Sequence, residues 1–111
     1  MKINFKEMRE EIKKEFNGGV GVFNAKITND GLNKILMGRL EKGNSIGLHT
    51  HTDSSEVIYV ISGTGIMTCD GIEEIVSSGD VTYCPMGHNH TFRNDNDEDL
   101  IFFAVVPNHK I

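Results

Sequence analysis

Three histidines and one glutamate, His49, His51, Glu56 and His90, stand at spacings that can bring them to one point. Imidazole nitrogen and carboxylate oxygen together form the donor set of a mononuclear transition-metal site, suited to Mn, Fe, Co, Ni, Cu or Zn. The spacing adds to the residue types. His49 and His51 are two apart, so on a β-strand both side chains leave the same face. Thr52-Asp53-Ser54-Ser55 is a short polar connection that can return Glu56 on an antiparallel neighbour facing the same interior. His90 follows the Pro85-Met86-Gly87 turn and arrives from a third strand. Three strands would converge on the ion.

The rest of the chain supplies such strands. From residue 20 onward, short apolar runs alternate with turn residues. The runs are 20–27, 34–40, 46–51, 56–61, 65–69, 72–76, 81–84, 90–93 and 100–106. Asp70-Gly71 is a strong hairpin signal between two of them. Asn94-Asp95-Asn96-Asp97-Glu98-Asp99 reads as a solvated acidic loop. Strands this short and evenly spaced predict an all-β sandwich or barrel, closure of which removes exposed edges. Ahead of them, Phe5, Met8, Ile12 and Phe16 fall at helical spacing, and Asn17-Gly18-Gly19 provides a stop. The expected organisation is an N-terminal helical arm over residues 1–19 and one β-domain over residues 20–111.

The four candidate ligands sit inside two longer patterns. The first is Gly43-x5-His49-x-His51-x4-Glu56-x6-Gly63, and the second is Gly79-x5-Pro85-x-Gly87-x2-His90-x3-Asn94. These resemble the two signature motifs of the cupin superfamily, over residues 43–94, about half the chain. The resemblance implies an antiparallel β-barrel of the jelly-roll, or double-stranded β-helix, type. It also implies one divalent metal held in the barrel mouth by His49, His51, Glu56 and His90.

Composition bounds the function. At 111 residues with 38% apolar content, the chain supports one core and is too short for two. A net charge of −5 argues against nucleic-acid or anionic-membrane partners, which need basic patches. No apolar run approaches the roughly 18 residues of a membrane span. The first sixteen residues are too charged for a secretory signal, so the expected location is cytoplasmic. Cys69 and Cys84 form no Cys-x-x-Cys motif and read as two reduced thiols.

Other ligand sets and roles remain open. His51, Asp53 and His90 would make a two-histidine, one-carboxylate triad of the non-haem iron type. His88 can compete for the ion or sit behind it, and His109 reads as a solvated tail residue. Arg39 shares strand parity with Ile35 and Met37. If that face points inward, its guanidinium would grip a carboxylate or phosphate; otherwise it meets solvent. Met37, Met67, Tyr83 and Phe103 are candidate walls of a mostly apolar pocket, against the simpler reading of ordinary core.

Three function classes follow from the cupin resemblance. The first is a metal-dependent enzyme on a small anionic oxygenated molecule, whether dioxygenase, decarboxylase or sugar or uronate isomerase. The second is a non-catalytic ligand-binding or sensor barrel, and the third a purely structural metal domain. Six-coordinate metal held by four protein donors would keep two positions for a ligand, which favours the first. Homodimerisation is expected through the apolar stripe of the N-terminal helix and an uncovered sheet face.

Overall fold

The computed structural model describes residues 1–110. Among these residues ten strands build two antiparallel sheets that face one another. One sheet has six strands in the order β1 (Glu11–Lys14), β2 (Val22–Asn29), β3 (Asn33–Leu40), β10 (Leu100–Pro107), β5 (Glu56–Ser62) and β8 (Val81–Cys84). The other has four, in the order β4 (Ser45–Thr50), β9 (Asn89–Arg93), β6 (Thr64–Cys69) and β7 (Ile72–Ser77). Among the described residues no backbone ladder joins the sheets, so the expected closed barrel is a two-sheet jelly roll with open edges. The Asp70-Gly71 hairpin forms as read, with φ of 50° and 81° at its two residues and β6 paired to β7.

The inner faces meet in one apolar core. Phe102 of β10 lies at its centre, with its ring 5.9 Å from that of Phe23 and 5.1 Å from that of Phe92. Leu36, Leu40, Ile58 and Val60 pack beside it from the six-stranded sheet, and Ile46, Met67 and Val76 from the four-stranded one. Each such side chain contributes on the order of 1.5–3 kcal/mol by leaving water. The sequence-predicted acidic loop is anchored at its first residue. Asn94 is fully buried, donates to the Leu40 and Glu98 carbonyls at 2.9 and 2.8 Å, and accepts from the Asn96 amide at 2.9 Å.

Within the arm expected over residues 1–19, the helix that Phe5, Met8, Ile12 and Phe16 pointed to does not form. Its place is taken by a single 3-10 turn at Phe5–Glu7, the edge strand β1, and a second tight turn at Phe16–Gly18. An isolated helix of this length is marginal in water. Pairing with the open edge of β2 satisfies the backbone instead, in the register Glu11↔Ala25 to Lys14↔Val22. The residues of the supposed stripe therefore part company. Phe5 meets Phe103 outside the sheet, Phe16 meets Phe23 at the core, and Ile12 is exposed. The arm is an extension of the six-stranded sheet.

One close approach in this region places part of the site. A Cβ on Gly19 would lie 2.2 Å from the Ser45 carbonyl oxygen, and one on Gly47 would lie 2.1 Å from that of Asn17. Two glycines facing one another let the 16–19 turn rest directly on the backbone of β4. That contact brings Phe16 and Asn17 over the end of the sandwich where the histidines lie.

Candidate metal centre

A bulge in β4 aims the first two histidines. Ile46 pairs with Phe92 and His49 with His90, so three steps on β4 match two on β9. The extra residue at Gly47–Leu48 reverses the alternation of faces. Ile46 and His49 both point inward as a result, while Leu48 is exposed. His51 follows just beyond the strand and is buried. His90 stands directly across from His49 on β9. Glu56 opens β5, which belongs to the opposite sheet rather than to a neighbouring strand of β4 as the sequence reading had it. The site thus spans the gap between the two sheets.

The four side chains meet closely. Glu56 Oε1 lies 3.1 Å from His51 Nε2, 3.0 Å from His90 Nε2 and 4.0 Å from His49 Nε2. His90 Nε2 lies 3.0 Å from the Nε2 atoms of both His51 and His49. All four donor atoms fall within 4.8 Å of one another. The Nδ1 atom of His49 donates to the Gly47 carbonyl at 2.8 Å, and that of His51 sits 2.8 Å from Ser54 Oγ. The Gly47 carbonyl, which can only accept, keeps a proton on His49 Nδ1 and turns its Nε2 lone pair toward the centre, while Ser54 orients the His51 ring. Donor types, count and orientation all fit a divalent transition ion, with no thiol among them.

Electrostatics within the cluster are strongly coupled. Burial pushes the Glu56 carboxyl up, but hydrogen bonds from His49, His51 and His90 outweigh it and hold the group far below the ordinary carboxylate range. Burial pulls His49 down, while the Glu56 carboxylate and the Gly47 carbonyl prevail and raise it; the positive charge of Lys34 opposes them.

The other sequence candidates separate cleanly. Asp53 is exposed and lies outside the cluster, which removes the His51, Asp53, His90 triad. His88 is half exposed and its Nδ1 lies 2.5 Å from Asp70 Oδ2, so it braces the β6–β7 hairpin. His109 is exposed, yet its Nε2 contacts Ser55 Oγ at 2.8 Å, tying the tail to the ligand-bearing loop. Of the two orientations open for Arg39 and Met37, the outward one holds. Leu36, Gly38 and Leu40 are the buried residues of β3, so Met37 and Arg39 point outward. Arg39 grips Glu10 through two contacts of 3.0 Å and also pairs with Glu41 and Asp99. Phe103 likewise lies outside, under Phe5, while its neighbour Phe102 faces in. Tyr83 is 60% exposed. Met67 is buried core away from the pocket.

The pocket itself is a cavity of about 90 Å³ above the donors. Its walls are apolar, chiefly Phe16, Ile27, Leu36, Ile58, Phe102 and Val106. Apart from the donors its polar lining is Asn17 and Lys34. Sequence reasoning missed Ser54, Asn17 and Lys34. For Lys34 a signal existed, since it shares the true inward parity of β3.

A small two-sheet jelly roll with three imidazoles and a carboxylate converging at one mouth defines a class, the metal-site β-barrels of the cupin type. Residues 36–106 match the Cupin domain family, and the chain belongs to it. It is 34% identical over 68 residues to the oxalate-binding protein of Thermotoga maritima, covering 61% of this chain and 56% of that one. It is 38% identical over 52 residues to quercetin 2,3-dioxygenase of Bacillus subtilis, covering 47% of this chain and 15% of the other. The chain therefore spans just over half of the first relative and a small part of the second. Among solved structures, that of a predicted oxalate decarboxylase from Thermotoga maritima superposes with a TM-score of 0.91 at 25% identity. The superposition covers 97% of this chain and 99% of the other. Among the described residues no helix is long and apolar enough to cross a membrane.

The coupled charges set a pH dependence for chelator-treated protein. Glu56 has a depressed folded-state value, so its stabilisation is full above the ordinary value of 4.5 and is lost as pH falls. His49 has a raised one, so its stabilisation is present below 6.5 and is lost as pH rises through its folded-state value. Thermal melts of the chelated wild type should show the cluster contributing most between these two values. Glu56→Gln should flatten both limbs. A Glu56→Gln profile parallel to that of the wild type would contradict the coupling.

Proposed function

We propose that His49, His51, Glu56 and His90 hold one divalent transition metal and that the pocket presents a small carboxylate to it. The observation that carries this reading is the convergence of four donors at the floor of an apolar cavity large enough for a ligand. A purely structural ion would be closed off by protein, and structural zinc favours cysteine. Here the donors border the cavity, and both cysteines lie outside the set. Glu56 offsets one unit of a divalent charge and leaves roughly +1, which attracts an anion. The relative named as oxalate-binding supports the same ligand class.

On this reading the protein is a metal-dependent enzyme, with decarboxylation of a small carboxylate ahead of dioxygenation and of sugar or uronate isomerisation. When bound, the ion supplies Lewis-acid polarisation of a coordinated oxygen. The chain's own residues do the rest. Nδ1 contacts from Gly47 and Ser54 fix the His49 and His51 rings, and Phe16, Phe102 and Val106 help exclude water. A second reading, binding without turnover, is favoured by one observation. Beyond the donors, among the described residues the pocket offers only Asn17 and Lys34 as polar side chains, so no separate carboxylic acid is available there for proton transfer.

Protein purified anaerobically without chelator should contain about one transition-metal ion per chain and bind oxalate in calorimetric titration. His90→Ala should weaken metal binding by at least the ~10–100-fold seen for outer contacts, and oxalate binding with it. His88→Ala should keep both. Loss of metal in His88→Ala with retention in His90→Ala would overturn the ligand assignment. Metal-loaded wild type that ignores oxalate and other small acids would overturn the ligand class. Release of carbon dioxide from oxalate separates the enzyme from the binding module.

We also propose a homodimer, through the second of the two surfaces the sequence pointed to, an uncovered sheet face. The helical stripe does not exist, but the outer face of β5 and β8 exposes Val57 and Ile61 at 39%, Tyr59 at 45%, Val81 at 59% and Tyr83 at 60%. Adjacent apolar side chains at a sheet edge are covered by a second copy offering the same patch across a two-fold axis. Light scattering should return a dimer, and Tyr83→Glu with Val81→Lys should return a particle near the chain mass of 12.3 kDa. A wild-type monomer across the micromolar range would contradict the pairing.

A further inference from the structure

The inward-facing residues of β3 end in a charge. Leu36, Gly38 and Leu40 are buried, and the same alternation sets Lys34 on the pocket side of the strand. Lys34 lines the cavity together with Ile27 and Val106. Among the described residues no carboxylate stands within ion-pair distance of it. A half-buried ammonium at the rim of this cavity, with no carboxylate beside it, can meet an anion that enters.

A metal-loaded cluster and Lys34 would then be two positive points bordering one small cavity. We propose that Lys34 is a second anion-binding point of the pocket, so that the ligand carries two anionic groups and is a small dicarboxylate. The proposal rests on the carboxylate reading above and adds to it the number of charges the ligand carries. The cavity agrees in size. At 10–15 Å³ per water-sized group, 90 Å³ admits roughly six to nine such groups. The walls agree in chemistry. A sugar would leave several hydroxyls facing Phe16, Ile27 and Val106 without hydrogen-bond partners, whereas a dicarboxylate has its polar ends at the two charged points.

Calorimetric titration of metal-loaded wild type, Lys34→Met and Lys34→Arg with oxalate, malonate and acetate tests this. Metal content and melting temperature of each variant are measured first and should match the wild type, because Lys34 is not a donor. The wild type should bind at least one of the two dicarboxylates roughly 10-fold or more tighter than acetate, the range of a hydrogen bond to a charged group. Lys34→Met should erase that preference while leaving acetate unchanged, and Lys34→Arg should keep most of it. A preference that survives in Lys34→Met overturns the proposal. So does a wild type that binds acetate as tightly as the dicarboxylates, which would leave the carboxylate reading standing. Wild type that binds none of the three overturns the carboxylate reading and this proposal with it.

Discussion

Three imidazole Nε2 atoms and one carboxylate oxygen crowd within 4.8 Å of one another behind a layer of apolar side chains, and much of the fold serves that crowding. Lone pairs that face each other at 3.0 Å repel unless positive charge lies among them. A buried carboxylate is equally intolerant of isolation, and removing one partner of a buried pair costs on the order of 3–5 kcal/mol. A divalent ion satisfies all four groups together. Without one, the histidines and Glu56 satisfy each other only by sharing protons, which is why Glu56 is held far below the ordinary carboxylate range and His49 is raised.

No single element could assemble this arrangement. His49 and His90 face each other across β4 and β9, and Glu56 reaches them from the opposing sheet. The separation of the sheets therefore sets the geometry of the centre, and the Phe23, Phe92 and Phe102 rings behind it set that separation. The β4 bulge and the facing glycines Gly19 and Gly47 refine the near side, turning His49 inward and seating Phe16 over the mouth. The aromatic core holds the strands that carry the four residues, and the mouth beside them is lined by one turn and a few strand ends.

The convergence of His49, His51, Glu56 and His90 was legible in the sequence because their spacing is a direct consequence of strand pleat and turn length. Nine strands after residue 20 were legible for the same reason, to within a residue or two at most ends. What escaped was decided by partners far away in the chain. Phe5, Met8, Ile12 and Phe16 have helical spacing, but the open edge of β2 offered hydrogen bonds that an isolated helix could not match. Arg39 and Lys34 are both cations on β3, and alternation alone does not say which set faces in; a one-residue difference exchanges the faces. The hidden constraint was Gly38, whose position admits no Cβ because Phe102 Cζ would lie 2.5 Å away. That glycine marks the crowded interior side, and Lys34 shares its parity. The same one-residue ambiguity put Phe103 in the pocket in place of Phe102.

The central claim is that His49, His51, Glu56 and His90 hold one divalent metal ion between the two sheets. X-ray absorption spectroscopy at the metal edge of the loaded protein tests it most directly, since it counts and identifies the atoms around the ion. Nitrogen and oxygen neighbours only are expected, with the multiple-scattering pattern of three imidazoles, reduced to two in His90→Ala if any metal is retained. A sulfur neighbour from Cys69 or Cys84, or a wild-type spectrum with fewer than three imidazoles, would contradict it.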